Sequence, residues 1–272
     1  MNVFQSILLG ILQGVTEFLP VSSSGHLVLA KALMHINTGN DISFEVFVHF
    51  GTMLSVLVVF RNDVLRIIFS IMEAIQHPFQ IKELYKQSEI FRLVVYIIIG
   101  CIPAGVLGVL FNEQIESLFN DAKLVSDMLL ITGLILFLTR FSKSTGNNRI
   151  TLKSALGVGL AQSVAILPGI SRAGSTISTG LMMNVSQDQA ARFSFLMALP
   201  VILGATLLKV RHLIINPPSI HQSLILSTGT IVASISGYIA LKLLLRVLQK
   251  GKFSLFSYYC FAVGILGLLF IE

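Results

Sequence analysis

The sequence predicts an all-α polytopic membrane protein, built as an inverted repeat with six transmembrane helices and two re-entrant helical hairpins. Three observations support this prediction. Hydrophobic residues make up 54% of the 272 residues, charged residues 12%, and the mean hydropathy is +0.84, whereas a soluble domain carries about a quarter charged residues. Apolar segments near the length of a membrane-spanning helix recur along the chain. Two short polar loops interrupt this pattern and resemble each other.

The apolar segments fall into two groups by length. Six are long enough to cross a hydrocarbon core of about 30 Å at about 1.5 Å per residue: residues 44–60, 93–111, 124–140, 190–209, 223–245 and 254–271. The other four form two pairs, 3–19 with 24–36 and 152–167 with 175–185, each joined by a short loop rich in Ser, Gly and Pro. A loop this short cannot join two full spans and still expose its hydroxyls to lipid. Each pair is therefore interpreted as a re-entrant hairpin whose polar tip is held inside protein.

The two halves of the chain carry weak echoes of each other. At an offset of 148 residues, Leu19-Pro20 aligns with Leu167-Pro168, Ser23 with Ser171 and Phe47 with Phe195. These matches predict one membrane domain over 1–272, made of a first repeat of about 1–140 and a second of about 150–272. Each repeat holds one hairpin and three spans. Because three is odd, the second repeat enters from the opposite face, which is the arrangement of an inverted repeat.

Charge predicts the orientation. With the N-terminus on one side, the loops 61–92, 140–153 and 246–252 share the other side. That side has fourteen basic residues, against Lys31, Lys123, Lys209 and Arg211 on the N-terminal side. By the positive-inside rule it faces the cytoplasm and both termini lie outside. The fourteen are Arg61, Arg66, Lys82, Lys86, Arg92, Arg140, Lys143, Arg149, Lys153, Arg192, Lys242, Arg246, Lys250 and Lys252. The net charge of +6 is thus explained by topology, and nucleic acid is not expected as a partner because no basic run with interleaved aromatics is present.

The first polar cluster, QGVTEFLPVSSSGH at 13–26, contains Gln13, Glu17, Ser22, Ser23, Ser24 and His26. Gln13 and Glu17 are four residues apart and share a helical face. A carboxylate within a membrane segment is costly and is by default a functional residue. The three serines lie where the next helix begins, with open N–H groups and a positive dipole end. His26 follows in the first turn of that helix.

The second polar cluster, QSVAILPGISRAGST at 162–176, contains Ser163, Pro168, Gly169, Ser171, Arg172, Ser175 and Thr176. Gly169 allows a tight turn and close approach of a ligand to the backbone. Arg172 is the only cation in this cluster, and its guanidinium matches phosphate oxygens. The N–H groups at the helix start add an anion cradle. If the two tips meet inside the membrane, they combine a charge clamp, a proton-transfer group, a nucleophile and a place for a metal, as phosphoryl transfer requires.

Other interpretations of these residues remain open at this point. Ser22, Ser175 and the glycines are equally explained by close helix packing. A Glu17–Arg172 pair is also compatible with a structural bridge between the repeats. His49 and Glu45, in the first span, are interpreted as structural or supporting residues.

Taken together, these segments resemble the bacterial undecaprenyl-pyrophosphate phosphatase family linked to bacitracin resistance. The first cluster resembles that family's E/Q-x-x-x-E helix running into LPVSS-[ST]-GH, and LPGISRAGSTIS at 167–178 is similar to its PG-x-SR-x-x-x-T loop. FEVFVHFGTMLSVLVVF at 44–60 and ARFSFLMALPVILGA at 191–205 continue the resemblance, which covers nearly the whole chain. Two positions vary: Gln13 stands at the first carboxylate position, and Ala173 replaces the usual Ser after the Arg.

The resemblance implies an undecaprenyl-diphosphatase that hydrolyses the terminal phosphate of the lipid carrier used in peptidoglycan synthesis. It implies Glu17, Ser23, His26 and Arg172 as catalytic residues. It further implies a divalent cation, Mg²⁺ or Ca²⁺, held by Glu17 with Gln13, and a site open to the outer face of the bacterial inner membrane. The substrate-binding residues expected beside these are Gln13, Ser22, Ser24, Gly169, Ser171, Ala173 and Thr176.

Three questions stay open on sequence alone. The nucleophile is Ser23, His26 or a water molecule. The competing class of function is a transporter or lipid flippase, because inverted repeats and broken helices are transporter traits as well; the cluster of Ser23, His26 and Glu17 at one tip favours the enzyme. The sequence is also compatible with a homodimer but does not determine the oligomeric state.

Overall fold

The computed structural model describes residues 1–36, 43–119, 121–142, 148–215 and 217–270. Its regular secondary structure within these ranges is helical throughout. Three short 3₁₀ turns lie at Pro78–Gln80, Thr139–Phe141 and Phe253–Leu255. The α-helices are α1 Val3–Phe18, α2 Ser23–Leu33, α3 Ser43–Val59, α4 Arg61–Gln76, α5 Ile81–Gln87, α6 Glu89–Leu110, α7 Asn112–Leu118, α8 Ala122–Leu138, α9 Leu152–Val164, α10 Arg172–Met182, α11 Gln187–Ile215, α12 Ile220–Gln249 and α13 Phe256–Phe270.

Five helices in the described part of the chain are long and apolar enough to cross a membrane: α6, α8 with its 3₁₀ turn, α11, α12, and α13 with the turn before it. The number becomes six if α3 and α4, which meet at 87°, are taken as one broken span. The predicted all-α multi-pass membrane protein is confirmed. Two residues used in the sequence predictions lie outside the described residues: Lys143, one of the fourteen basic residues, and Ile271, the end of the last predicted span.

The stretch 61–92 is not the simple surface loop that the sequence predicts. It contains α4 and α5, and α4 turns sharply away from the axis of α3. In α4 the apolar residues recur at helical spacing among polar ones, so the average hydropathy of the stretch is low although one face of the helix is apolar. An average over the segment therefore conceals an amphipathic helix.

Each predicted hairpin is a pair of short helices with a buried polar tip, α1 with α2 and α9 with α10, and its re-entry through one membrane face stays a prediction. In each pair a serine caps the second helix. Ser22 accepts a hydrogen bond from Gly25 N (3.2 Å), and Ser171 accepts one from Gly174 N (3.0 Å). These caps satisfy helix N–H groups that would otherwise be unpaired inside the membrane.

The caps show that the sequence alignment of the two tips is shifted by one residue. Ser22, rather than Ser23, is the counterpart of Ser171, and the first helical residues Ser23 and Arg172 are then equivalent. The second loop contains one more residue after its proline, Gly169, whose φ of +94° lies in the left-handed region. A Cβ at this position would overlap the Val125 carbonyl oxygen, so only glycine is accommodated. The duplication and the opposite entry of its halves stay predictions.

The helices that surround the tips pack closely through small residues. α12 lies between α1 and α3, where Gly14 abuts Ser236 and Gly237, and Gly51 abuts Thr230. α13 packs on α8, and α9 packs on α6. Small residues allow helix backbones to approach closely where lipid supplies no hydrophobic driving force. The result is a bundle that encloses both tips.

The largest apolar cluster is built around the tips themselves. It includes Phe18 and Val21 from the first hairpin, Ala173 and Ile177 from the second, and Cys260 from α13. Cys260 is buried and free, and Cys101 is partly buried and also free. The polar ends of the two hairpins are thus held together by apolar contacts on their flanks.

Candidate active site

Glu17 lies at the end of α1, and several donors converge on its buried carboxylate. Oε2 accepts hydrogen bonds from Ser23 Oγ (2.5 Å) and Gln13 Nε2 (2.9 Å). Oε1 accepts one from the Arg172 guanidinium. Glu17 is 7% exposed, and a carboxylate at such a depth is stable only if it is paired and hydrogen-bonded.

The Glu17–Arg172 ion pair joins the two hairpins directly. Arg172 is the first residue of α10 and Glu17 the second-last residue of α1, so the pair links positions 155 residues apart in the chain. A second link runs from Gly169 N to Ser24 Oγ (3.5 Å). The two polar clusters identified in the sequence therefore meet in one place.

His49 on α3 is a further member of this network. Its Nε2 lies 3.2 Å from Glu17 Oε2, and its Nδ1 lies 2.7 Å from the Glu45 carbonyl oxygen. Both oxygens are acceptors, an arrangement that favours a hydrogen on each ring nitrogen of His49. Glu17 thus lies between the Arg172 guanidinium and the His49 ring.

His26 faces a different neighbour from the one that its sequence position suggests. Its Nδ1 lies 2.8 Å from the Ser22 carbonyl oxygen, and its Nε2 lies 2.9 Å from the Tyr259 hydroxyl. The two rings are nearly parallel, with planes 6° apart. Since the carbonyl accepts from Nδ1, Nε2 of the neutral ring accepts from Tyr259. His26 is 7% exposed and does not line the cavity described next.

A cavity of about 310 Å³ opens beside the Glu17–Arg172 pair. Its polar wall includes Ser22, Ser23 and Ser24 from the first tip and Ser171 and Arg172 from the second. The rest of its lining is mostly apolar and comes from several helices: Val46, Ala104, Gly108, Phe119, Ala165, Ile166, Ile170, Val201, Ile202 and Ala205. A polar end beside an apolar wall suits an amphiphile with an anionic head.

The chain is similar in sequence to known proteins over nearly its whole length. Residues 6–266 match the sequence model of a family described as bacitracin resistance protein BacA. The chain belongs to the BacA family. An undecaprenyl-diphosphatase of Halothermothrix orenii is 44% identical over 271 residues, which cover 98% of this chain and 97% of the relative.

Other relatives of this BacA-family chain carry the same description. An undecaprenyl-diphosphatase of Salinibacter ruber is 43% identical, with 98% of this chain and 99% of the relative covered. Undecaprenyl-diphosphatase 1 of Bacillus licheniformis is 39% identical, with 97% and 96% covered. The similarity extends across both hairpins and the helices around them.

In this BacA-family chain the remaining residues predicted for the site form two groups, one that lines the cavity and one that lies behind the lining. Ser22, Ser23, Ser24 and Ser171 line the cavity. Gln13, Gly169, Ala173 and Thr176 are buried behind that lining and support it. Thr176, for example, donates to the Arg172 carbonyl oxygen at 2.7 Å and pairs with Ser194 Oγ at 2.6 Å.

Two residues of the cavity escaped the sequence interpretation. His49 was assigned a supporting role, yet it contacts Glu17 directly. Gln162 lines the cavity and is 2% exposed; the Cys101 thiol approaches its side chain, but neither Nε2 nor Oε1 has a hydrogen-bond partner of good geometry within the described residues. An available signal was the cost of a carboxamide in an apolar segment, but Gln162 lies six residues before Pro168 and outside the loop itself.

The donor set is compatible with the divalent cation that the family resemblance implies. Two carboxylates, Glu17 and Glu45, line the cavity together with serine hydroxyls. Glu45 Oε1 pairs with Lys31, and Oε2 is buried without a partner among the described residues. Mg²⁺ is commonly held by one or two carboxylates plus substrate phosphates and water. Gln13, predicted as a second ligand, donates its amide to Glu17 and does not line the cavity.

Proposed function

We propose that this chain is an undecaprenyl-diphosphatase, which hydrolyses undecaprenyl diphosphate to undecaprenyl phosphate and inorganic phosphate. This activity returns the lipid carrier to peptidoglycan synthesis and confers bacitracin resistance. The observation that carries the proposal is the ion pair between Glu17 and Arg172 at the polar end of an otherwise apolar cavity. Full-length relatives at about 40% identity and above with this described activity support it.

The substrate head binds at the two tips and its prenyl chain follows the apolar wall. Arg172 and the N–H groups at the start of α10 bind the terminal phosphate, because a guanidinium and a helix N-terminus both match anionic oxygens. The apolar lining contributed by α6 and α11 accommodates the first isoprene units, which enter laterally from lipid. The unpartnered Gln162 amide completes the polar end by donating to a diphosphate oxygen.

Phosphoryl transfer starts from Ser23 or from a water molecule held beside it. Ser23 Oγ already donates to Glu17, so in the serine route its proton passes to that carboxylate as Oγ attacks the terminal phosphorus. The bond from phosphorus to the bridging oxygen breaks, undecaprenyl phosphate leaves, and water then releases phosphate from the serine. If water attacks the phosphorus directly, Arg172 and the N–H groups of α10 still bind the terminal phosphate, but no phosphoserine forms.

The role of His26 is proposed on separate grounds. The sequence predicts it as a proton-transfer group, whereas the structure holds its ring between the Ser22 carbonyl and the Tyr259 hydroxyl, outside the lining of the cavity. Its bonds to the Ser22 carbonyl and Tyr259 also support a positioning role, since Ser22 has a positive φ of 68° that neighbouring contacts must maintain. The two roles predict different pH dependences for His26→Gln. If His26 transfers a proton, the replacement removes one limb of the pH–rate profile; if it only positions Ser22, both limbs remain.

A divalent cation, Mg²⁺ or Ca²⁺, is proposed at Glu17 and Glu45. When bound, it would neutralise charge on the diphosphate. In the residues alone, Glu17 and Glu45 contribute two negative charges, and their partners Arg172 and Lys31 contribute two positive charges. These four charges cancel and do not neutralise a bound diphosphate, a deficit that a divalent cation would supply.

The site is further proposed to face the outer side of the bacterial inner membrane, with both termini outside. The fourteen-to-four distribution of basic residues supports this orientation. A homodimer is compatible with the sequence and is not required by the site, since one chain supplies both tips.

Phosphate release from purified protein tests the activity. Wild-type protein in detergent with Mg²⁺ is expected to release inorganic phosphate from a C55 or C15 prenyl diphosphate, whereas Arg172→Ala and His26→Ala each lose orders of magnitude. Arg140→Ala is the matched control, because Arg140 is exposed and contacts Phe137 rather than the site. No release by wild-type protein, with transport of the intact lipid instead, would favour the carrier class.

A further inference from the structure

A second polar cavity lies at the opposite end of α6 from the active site. It has a volume of about 250 Å³ and is lined by Arg92, Arg149 and Arg192, together with Glu89 and Gln189. Arg92 precedes Ala104, which lines the active-site cavity, by twelve residues of the same helix. At about 1.5 Å per residue the two cavities are roughly 18 Å apart along α6. None of the residues proposed for catalysis lines this second cavity.

The three guanidinium groups present more hydrogen-bond donors than the protein accepts. Arg192 forms an ion pair with Asp63, but its Nε is buried without a partner in the described part of the chain. Arg92 donates to the carbonyl oxygens of Lys86 (2.7 Å) and Tyr85 (3.3 Å). Arg149 pairs with Glu89 in a contact where both side chains are more than half exposed, and such a pair is worth little in stability.

The adjoining helix α4 has the features of a helix that lies in the membrane interface. It turns by 87° from α3, and Leu65, Ile68, Phe69, Met72 and Ile75 form an exposed apolar stripe at helical spacing. Exposure reaches 65% at Phe69 and 73% at Ile75. A helix of this pattern lies in the plane of the interface with its apolar face in the acyl region.

The arginine cavity and the apolar stripe are parts of one surface. Asp63 of α4 pairs with Arg192. Val64 and Ile67 of α4 pack into the same apolar cluster as Leu93, Tyr96 and Ile150. These last three residues also line the arginine cavity. The cationic cavity thus opens beside an acyl-facing helix, on the membrane face that carries most of the basic residues.

We propose that this surface binds an anionic phospholipid of the leaflet opposite the active-site opening, with its phosphate in the arginine cavity and its acyl chains along α4. Basic pockets between transmembrane helices at this level bind phospholipid head groups. A guanidinium group presents planar donors that suit phosphate oxygens, and three of them line this cavity. The apolar stripe selects a lipid over a soluble phosphate, because a free anion gains nothing from it.

Lipid competition followed by native mass spectrometry tests the proposal. Full-length protein in detergent receives equal amounts of phosphatidylglycerol and phosphatidylcholine, and the wild type is expected to retain mainly phosphatidylglycerol. In Arg92→Gln/Arg149→Gln this preference falls by about fivefold for each arginine. Arg149→Gln alone is included because Arg149 is exposed and its replacement leaves the Arg92 contacts to α5 intact.

The controls separate lipid recognition from general charge. Arg246→Gln removes an exposed basic residue of α12 on the same membrane face and should leave the preference unchanged. Phe69→Ser/Met72→Ser should weaken phosphatidylglycerol binding although no charge is lost. Prenyl diphosphate hydrolysis by all these variants should remain at the wild-type rate, so the result is independent of the proposed activity.

Three results would overturn the proposal. Equal retention of the two lipids by wild-type protein would exclude a head-group site. An equal loss in Arg246→Gln would show that the basic residues act only through general surface charge. Displacement of the lipid by millimolar glycerol 3-phosphate would identify a site for a soluble phosphate.

Discussion

At the scale of single residues, the buried polar groups of the site differ in whether they have a hydrogen-bond partner. The Glu17 carboxylate accepts from Ser23 and Gln13 and lies beside Arg172 and His49. Gln162 and Glu45 Oε2, which line the same cavity, find no partner within the described ranges. Buried polar groups left unpaired cost about 1–3 kcal/mol each, so the cavity is built for a ligand that supplies those partners.

Replacement of Gln162 by Leu tests this interpretation. Its amide is expected to donate to a charged phosphate oxygen, and such a bond contributes about 1.5–3 kcal/mol. Gln162→Leu should therefore lower kcat/KM for prenyl diphosphate by about ten- to a hundredfold. The thermal stability should not fall, because an unpaired carboxamide is removed from an apolar setting.

The matched control is Ser178→Ala. Ser178 Oγ is also buried without a partner in the described structure, but Ser178 does not line the cavity. Its replacement should leave kcat/KM unchanged. If both variants behave alike, Gln162 does not contact the substrate.

At the scale of elements, each hairpin turns within a few residues and starts its second helix with a serine cap. The first turn uses Ser22 at a φ of 68°, and the second uses Gly169 at 94°. These turns place the first residues of α2 and α10, Ser23 and Arg172, on the two oxygens of one carboxylate. A change in either turn would displace Ser23 or Arg172 while leaving the hydroxyl or guanidinium group itself unchanged.

Gly169→Ala is expected to destabilise the protein by about 1–3 kcal/mol, because the new Cβ meets the Val125 carbonyl and the positive φ disfavours any other residue. Thermal unfolding in detergent and phosphate release should both report the loss. Gly105→Ala on α6 is the control, since a Cβ there has no heavy atom within 4 Å in the described structure. An unchanged melting temperature in Gly169→Ala would contradict the role assigned to this turn.

At the scale of the whole molecule, the bundle encloses two short polar segments that lipid alone would not accept. α12 holds α1 and α3 together, and the apolar cluster around Phe18, Ala173 and Ile177 holds the tips. Backbone that is not helical is tolerated at membrane depth only where protein surrounds it. The surrounding spans therefore make the site possible as well as anchoring it.

The orientation of the bundle is tested with reporter fusions. A fusion after Glu272, which lies outside the described residues, should report the periplasmic or extracellular side, because the basic majority stays in the cytoplasm. A truncated fusion after Lys252 should report the cytoplasm. A cytoplasmic signal from the first fusion would reverse the predicted topology.

Much of this architecture was predictable because its causes are local. Hydropathy over 93–111 and 223–245 predicts the helices found at Glu89–Leu110 and Ile220–Gln249. The prolines and serines of the two loops predict breaks with capped helices, and capping depends on residues three apart. α4 was missed since amphipathic spacing lowers the average hydropathy of its segment.

The sequence by itself determined the helical membrane class, the two hairpins and the polar residues at their tips, since burial in lipid admits few other structures for such segments. Only the tertiary structure decided which polar atoms meet. His49 reaches Glu17 from α3, and His26 meets Tyr259, 233 residues away. These contacts depend on how each helix is rotated about its axis and which neighbour it packs against, and that is a property of the whole bundle rather than of any local pattern.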